Sequence, residues 1–481
     1  MLRGIQQIHF VGIGGIGMSG LAEILLNLGY TVTGSDLKRS DITDRLVQLG
    51  ASFFEGHDAQ NVGSAGVVVR SAAISDNNVE IQAAERRGIP VVPRSQLLAD
   101  LMRLKPHAIA VGGTHGKTTT TSMISAILEK ADIESTAIVG GILNRKNSNV
   151  AWGTGDYLVA ETDEHDGSFL KLYPTVTVVT NIDPEHMEYY GTLDSLKSAF
   201  LDFVNRVPFY GFSVVCRDDK NVRSIIPQIT ATCITYGVRR GADIVATDIK
   251  LASTAKTLAA ARRLKSSFSV FNHSKRLGKT GRLGTVTVNA VGNHNVLNAL
   301  AAIAVGLGLG MKFAQIRAGL KLFRGVRRRF QLKGTVSGIT VIEDYAHHPT
   351  EIEATLRALR SLRPRRIVAV FQPHLYSRTK FFCRDFGQVL TKTNRLFITS
   401  IYGTAREEPM PGVSAINVVE AARKAGHEQV EYVENKDEIP GVLLEHLRPG
   451  DIVVFLGAGD IGKVSDKMVE ALEEREGTAR N

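Results

Sequence analysis

Residues 109–122 read I-A-V-G-G-T-H-G-K-T-T-T-T-S. Glycines let backbone N–H groups approach phosphate oxygens, and a following helix N-terminus adds partial positive charge. Lys117 is placed to neutralise β- and γ-phosphate charge, and the Thr118 hydroxyl to ligate Mg2+. The usual spacing G-x-x-x-x-G-K-[ST] asks for glycine where this chain has Val111, so the loop is a variant. A glycine-rich turn that happens to precede a lysine is the competing reading. The order strand, loop, G-K-T, helix weighs against it.

A second glycine-rich stretch, I-H-F-V-G-I-G-G-I-G-M-S-G, covers residues 8–20. Gly12, Gly14 and Gly17 make G-x-G-x-x-G, and Asp36 follows at the distance expected of a dinucleotide site. Alone, this predicts a nicotinamide or flavin oxidoreductase. With 46 glycines in 481 residues, the spacing arises by chance on the order of 0.5 times per chain, so its strand–turn–helix context carries the weight.

Further ligand-type residues fall beside strand ends. Glu161 is read as the first residue past an apolar strand in A-E-T-D-E-H-D-G-S-F, where open α/β sheets bind ligands. A carboxylate there suits Mg2+, directly or through water. A solvated acidic loop is the alternative, and the phosphate loop upstream favours the metal. His186, in T-N-I-D-P-E-H, is a structural histidine or a metal or phosphate ligand. Asn293, His294 and Asn295 are expected just ahead of an Ala-rich helix over 298–309. Capping explains one Asn, and the other polar groups could hydrogen-bond a purine. G-V-R-R-R-F-Q (325–331) reads as a phosphate clamp between domains, since no aromatic platform or RNA motif accompanies it. E-D-Y-A-H-H-P-T-E (343–351) and F-Q-P-H-L-Y-S-R-T-K (371–380) offer ligand-type side chains after strands.

The elements that must position these residues follow from hydrophobic pattern. Strands are expected over 8–11, 30–33, 67–69 and 89–92, with a helix over 18–28 stopped by Gly29. Leu101–His107 reads as a linker. Strands over 108–111, 157–160 and 175–180 follow, then a β-rich insertion over 231–290. A third α/β pattern has strands over 340–342, 367–371, 396–399 and 452–455, and only the last few charged residues read as disordered. Such alternation argues parallel sheets covered by helices.

The length of 481 residues suggests about three domains. A hydrophobic content of 43% and a charged content of 22% are ordinary for a globular protein. The net charge of +10 favours anionic partners without choosing among them. Cys216, Cys233 and Cys383 are far apart and give neither a disulfide framework nor a zinc site, which fits a reducing cytosol. The first residues lack a signal-peptide pattern, and with no run of 18 apolar residues no membrane span is expected.

Taken in order, I-H-F-V-G-I-G-G-I-G-M-S-G-L-A-E, G-T-H-G-K-T-T-T, A-E-T-D-E-H-D-G-S-F, T-N-I-D-P-E-H-M-E, G-N-H-N-x-x-N-A, G-V-R-R-R-F, D-Y-A-H-H-P-T-E-I, F-Q-P-H-x-Y-S-R-T and A-R-E-E-P make the chain resemble the bacterial Mur ligases over essentially its whole length. The resemblance implies an α/β protein of three domains. An N-terminal Rossmann-like domain (1–104) would bind the UDP-sugar, and a central P-loop-type domain with a β-rich insertion (105–324) ATP and Mg2+. A C-terminal Rossmann-like domain (325–481) would bring in the amino acid. The implied reaction is cytoplasmic, ATP-dependent ligation of L-alanine to the lactyl carboxylate of UDP-N-acetylmuramate through an acyl phosphate, in peptidoglycan precursor synthesis.

By the same resemblance, Gly112, Gly113, Thr114, His115, Gly116, Lys117, Thr118 and Thr119 surround ATP, with Asn293 and His294 at adenine. Arg329 and Asp344 reach ATP from the third domain, and Thr118, Glu161 and His186 form the metal site. Lys117, His186 and Arg329 are the expected catalytic residues. Gly14, Gly15, Gly17, Met18, Ser19 and Asp36 hold the UDP-sugar, and His348, His374 and Arg378 the alanine side. Leu201 stands where some relatives carry a carbamylated lysine, Lys197 is out of register, and Arg70 departs from the expected small polar or aromatic residue. The rivals are a ligase recycling a murein tripeptide onto the same sugar nucleotide, an NAD-dependent oxidoreductase and a nucleic-acid-binding ATPase; no reader motif supports the last. Oligomeric state is left open.

Overall fold

The computed structural model describes residues 4–143, 148–252, 265–403 and 407–480. Part of the basic run A-R-R-L-K-S-S and the start of A-R-E-E-P lie outside the described residues. By internal packing the chain forms two units, one of residues 1–248, 268–287 and 297–326, the other of residues 249–267, 288–296 and 327–481.

The first unit begins with strands β1 (Gln7–Val11), β2 (Thr31–Asp36), β3 (Ser52–Glu55), β4 (Val67–Arg70) and β5 (Val91–Pro93) and helices α1 (Ile16–Asn27), α2 (Asp41–Gln48), α3 (Val79–Arg86) and α4 (Arg94–Arg103). The strands lie in the order β3-β2-β1-β4-β5, all parallel. The order reverses at β1, so a crevice opens past the C-terminal ends of β1 and β4. Phe10, Val11, Val68 and Val69 are fully buried, as a sheet covered on both faces requires.

Next come β6 (His107–Gly112), α5 (Lys117–Lys130), β7 (Ser135–Leu143), β8 (Ser148–Ala151), β9 (Tyr157–Glu161), β10 (Val176–Val179), α6 (Met187–Tyr190), α7 (Leu193–Val204), β11 (Phe212–Cys216), α8 (Lys220–Ile225), β12 (Cys233–Gly237), β13 (Ile244–Ala252), β14 (Lys265–Asn272) and β15 (Gly281–Val288). Their sheet runs β15-β14-β13-β12-β11-β10-β6-β9-β7-β8. Strand β6 lies between β10 and β9, parallel to both, with Gly112 opposite Val179 and Val111 opposite Glu161. The loops after these three strands therefore open side by side.

Helices α9 (Asn293–Gly308) and α10 (Phe313–Leu322) follow. The second unit then has β16 (Gln331–Val336), β17 (Ile339–Asp344), α11 (Pro349–Ser361), β18 (Arg366–Phe371), α12 (Tyr376–Leu390), β19 (Arg395–Ile398), α13 (Ala415–Lys424), β20 (Val430–Tyr432), α14 (Ile439–Leu444), β21 (Asp451–Leu456) and α15 (Ile461–Arg480). Its sheet order is β16-β17-β21-β18-β19-β20, parallel except at β16. No helix among the described residues is long and apolar enough to cross a membrane.

Five expectations are corrected. The linker over Leu101–His107 is partly helix, because Leu97, Leu98, Leu101 and Met102 make one buried face of α4. Strand β2 runs on through G-S-D to Asp36. Glu161 ends β9 rather than following it. Asn293, His294 and Asn295 form the first turn of α9, since Gly292 at φ 95° turns the chain and its carbonyl accepts the Asn295 and Val296 N–H groups. The charged C-terminus continues α15 to Arg480. The β-rich stretch expected over 231–290 is present as β12–β15, at one end of the central sheet.

Candidate active site

The G-G-T-H-G-K-T loop joins β6 to α5. Gly116 caps α5 at φ 82°, in the left-handed region that favours glycine, and Asn298 of α9 packs where a Cβ would stand. Lys117 turns back into this loop. Its Nζ donates to the Gly113 carbonyl at 2.6 Å, the Thr114 carbonyl at 3.1 Å and both Glu164 oxygens at 2.9 and 3.0 Å. Burial opposes the ammonium charge, but Glu164, Asp163 and Glu161 overcome this and raise the pKa. Burial raises that of Glu164 as well, with Lys117 opposing.

Glu161 lies in the same field, its carboxylate accepting the Gly140 N–H at 2.6 Å. His186 adopts a left-handed conformation at φ 57°, with Nδ1 3.4 Å from Glu188 and its ring 5.9 Å from that of His165. A left-handed backbone costs energy at a non-glycine residue, and such positions cluster at functional sites. His115 Nε2 lies 3.1 Å from Asp183, and Thr114 and Thr180 hydroxyls tie the loop to its neighbour. Thr118 and Thr119 are buried in the first turn of α5. Leu201 lies half-buried on α7, and Lys197 is 3.1 Å from Asp194.

The first glycine loop joins β1 to α1. Gly12 stands at φ 83°, and the N–H groups of Gly12 and Ile13 both donate to the Ser35 carbonyl. Gly14 N–H donates to Asp36 at 2.8 Å, and Leu37 N–H to the other carboxylate oxygen. Asp36 thus braces the loop with one oxygen and its own strand end with the other. Met18 is buried in the core, the Ser19 hydroxyl donates to the Ile16 carbonyl, and the N–H groups of both donate to the Gly15 carbonyl. Arg70 is engaged by Asp76.

In the second unit, His294 is half-buried; burial lowers its pKa to about 4 and the Arg329 charge adds to this against Glu351. Arg329 lies 3.4 Å from Glu351 and 5.0 Å above the Tyr345 ring. Burial drives Asp344 up to about 6, against the nearby Arg329 and hydrogen bonds from Ala346 and Thr355. The three arginines are not one clamp. Arg327 is exposed, and Arg328 is spent on Glu343 at 2.6 Å and on the carbonyls of Gly457 and Gly459. His374 meets Arg378 at 3.0 Å, with the His347 ring 5.8 Å away. His348 instead is buried as the cap of α11, accepting the Thr350 N–H and packing on Phe382.

Four residues escaped the sequence reading. Glu164 and Asp163 sit in the quoted acidic motif, and only burial distinguishes the former. Arg94 lies against Gly17 and reaches 3.9 Å from Asp163. His347 is adjacent to the residue chosen.

These two phosphate-type loops, at the ends of parallel strands in two sheets, define a nucleotide-dependent enzyme with the layout of the Mur ligases. The family models for the Mur ligase catalytic domain, middle domain and glutamate ligase domain match residues 7–106, 111–306 and 328–459, and the chain belongs to the Mur ligase family. It is 48% identical over 470 residues to the UDP-N-acetylmuramate–L-alanine ligase of Myxococcus xanthus, covering 98% of this chain and 96% of that one. The ligase of the same name from Geobacter sulfurreducens is 48% identical, with 98% of each chain covered. Among solved structures, the UDP-N-acetylmuramate–alanine ligase of Thermotoga maritima matches with a TM-score of 0.80 at 29% identity, covering 98% of this chain and 99% of that one. A murein peptide ligase from Psychrobacter arcticus matches at 0.69 and 25%, covering 97% and 98%. The three-domain α/β fold expected from the sequence is borne out.

Proposed function

We propose that this chain ligates L-alanine to the lactyl carboxylate of UDP-N-acetylmuramate at the expense of ATP. The observation that carries the reading is the pair of glycine loops, one of them holding a lysine against a buried carboxylate, in a chain 48% identical to ligases of that name. The murein-tripeptide alternative rests on a likeness of 25%, and the nicotinamide alternative leaves the G-K-T loop without a role.

In this reading the lactyl carboxylate attacks the γ-phosphorus, ADP leaves and an acyl phosphate forms. The amine of L-alanine, having lost a proton, attacks the acyl carbon, and phosphate departs. Both partners of the first step are anionic, so Lys117 and Arg329 offset their repulsion. Lys117 exchanges Glu164 for phosphate oxygens, and His294 stays neutral and able to meet adenine. The turn of Gly14, Gly15 and Gly17 carries no side chains and lets the UDP diphosphate approach the N-terminus of α1, with Arg94 beside it. His374 and Arg378 serve the alanine side. Thr118 and Glu161 supply hard oxygen donors that suit Mg2+, with His186 nearby for contact through water. Bound there, Mg2+ would supply countercharge to the phosphates.

A panel of L-alanine, glycine, L-serine and the murein tripeptide, each with ATP and UDP-N-acetylmuramate, tests the reading by phosphate release. L-alanine should give the highest kcat/KM, and preference for the tripeptide would overturn the assignment.

A further inference from the structure

Beneath the first glycine loop lies a buried polar cluster that the reaction does not use. Glu80, on α3, is fully buried. Its Oε2 accepts the Ser35 hydroxyl at 2.6 Å and lies 3.3 Å from His57 Nδ1 and 3.5 Å from His9 Nε2. Its Oε1 accepts from Asn61 at 2.7 Å and from the Asp58 N–H at 3.3 Å. Burial pushes its pKa up, but the nearby His9 ring and hydrogen bonds from Ser35 and Asn61 overcome this and leave it at about 2. A carboxylate held charged in the interior needs every one of these partners.

The partners converge on the end of β2. Ser35 gives its hydroxyl to Glu80 and its carbonyl to the N–H groups of Gly12 and Ile13, at 2.9 and 3.0 Å. The next residue, Asp36, accepts from Gly14. Gly34 is packed so tightly that a Cβ would stand 2.5 Å from Ile13 and 2.9 Å from the Phe10 carbonyl. The strand end cannot shift without moving the loop, because close-packed interiors transmit displacement.

We propose that Glu80 is a positioning residue for the sugar-nucleotide site: through Ser35 it fixes the strand end that holds the first glycine loop in shape for a diphosphate. This rests on reading that loop as the UDP site. Without the carboxylate, the Ser35 hydroxyl loses its acceptor, and the strand end that receives the Gly12 and Ile13 N–H groups is less firmly held. ATP binds at a separate loop and is unaffected.

Steady-state kinetics on the full chain, with each substrate varied in turn, test this. E80A and S35A should each raise KM for UDP-N-acetylmuramate by about tenfold while kcat and KM for ATP stay within about twofold. E80Q, whose amide still accepts from Asn61 and donates to Ser35, should recover to within about threefold of the parent. The S35A/E80A double variant should match the worse single one, because both cut one path. S35A keeps the other partners of Glu80, so it decides the matter if E80A does not fold. KM for the sugar nucleotide unchanged in S35A, or KM for ATP rising equally, overturns the proposal. A parent enzyme that shows no turnover dependent on UDP-N-acetylmuramate overturns the UDP reading and this proposal with it.

Discussion

Replacing Lys117 by alanine should do more than stop turnover. Glu164 has only 3% of its side chain exposed and is held by Lys117 at 2.9 and 3.0 Å. Removing the lysine leaves a buried carboxylate without its counter-ion, a change that costs about 3–5 kcal/mol if the charge stays. Protonation offers an escape with a calculable ceiling. From an ordinary pKa of 4.5 to pH 7, holding the proton costs about 3.4 kcal/mol at 1.36 kcal/mol per unit. K117A is therefore expected to be destabilised by about 3 kcal/mol at pH 7, relative to the parent at the same pH. The deficit should shrink by about 1.4 kcal/mol per unit as pH falls towards 4.5. The sign follows from proton counts: the variant's folded state holds a proton that its unfolded state has released, so lowering pH favours folding. K117A/E164Q, with no charge to bury, should regain most of the loss. The assay is urea unfolding followed by Trp152, the chain's single tryptophan, which lies just past β8 in the same unit. A K117A deficit independent of pH between 5 and 7, or a double variant no more stable than K117A, would refute the reasoning.

Four further predictions follow from the same geometry. R94A should raise KM for UDP-N-acetylmuramate by about tenfold and leave KM for ATP near the parent value, since Arg94 packs on Gly17 of the first loop; equal effects on both substrates would count against it. His294, at about 4, makes stability fall as pH drops from 6.5 to 4, whereas Asp344, at about 6, makes it fall as pH rises from 3.8 to 6. The two contributions are each about 3 kcal/mol and oppose one another. H294Q should expose a stability that declines with rising pH in that window and D344N one that climbs, both read from denaturation midpoints. R328A should cost about 1–3 kcal/mol of stability, because it strips two carbonyls of a donor and leaves buried Glu343 with Lys333 as its remaining cation. R329A, partly exposed at 3.4 Å from Glu351, should change stability by under about 1 kcal/mol yet lower kcat at least about 100-fold.

Strand, loop and helix around Lys117 were legible because three signals coincide there: an apolar run, glycines at a turn and a helical pattern. The same held for the parallel strands of all three sheets, whose both-face burial writes short apolar runs. The ends were harder. Strand β2 continues through G-S-D because Ser35 and Asp36 point at Glu80 and Gly14, partners far away in sequence. Helix α9 starts at Asn293 because its polar first turn is satisfied by Gly292 and Val291 carbonyls, which no propensity reports. The R-R-R run looked like one clamp, and only tertiary packing assigns Arg328 to the loop after β21 and Arg329 to Glu351. In D-Y-A-H-H-P, spacing cannot tell His347 from His348; Pro349 makes the latter the helix cap.

In the proposed reaction one enzyme activates the lactyl carboxylate with ATP and then passes it to L-alanine. UDP-N-acetylmuramate labelled with 18O in both carboxylate oxygens, incubated with ATP and L-alanine, tests it most directly by mass analysis of the released phosphate. The account predicts one 18O in each phosphate and one in the new amide, formed only when L-alanine is present. Phosphate free of 18O, with ATP consumed and amide formed, would contradict it.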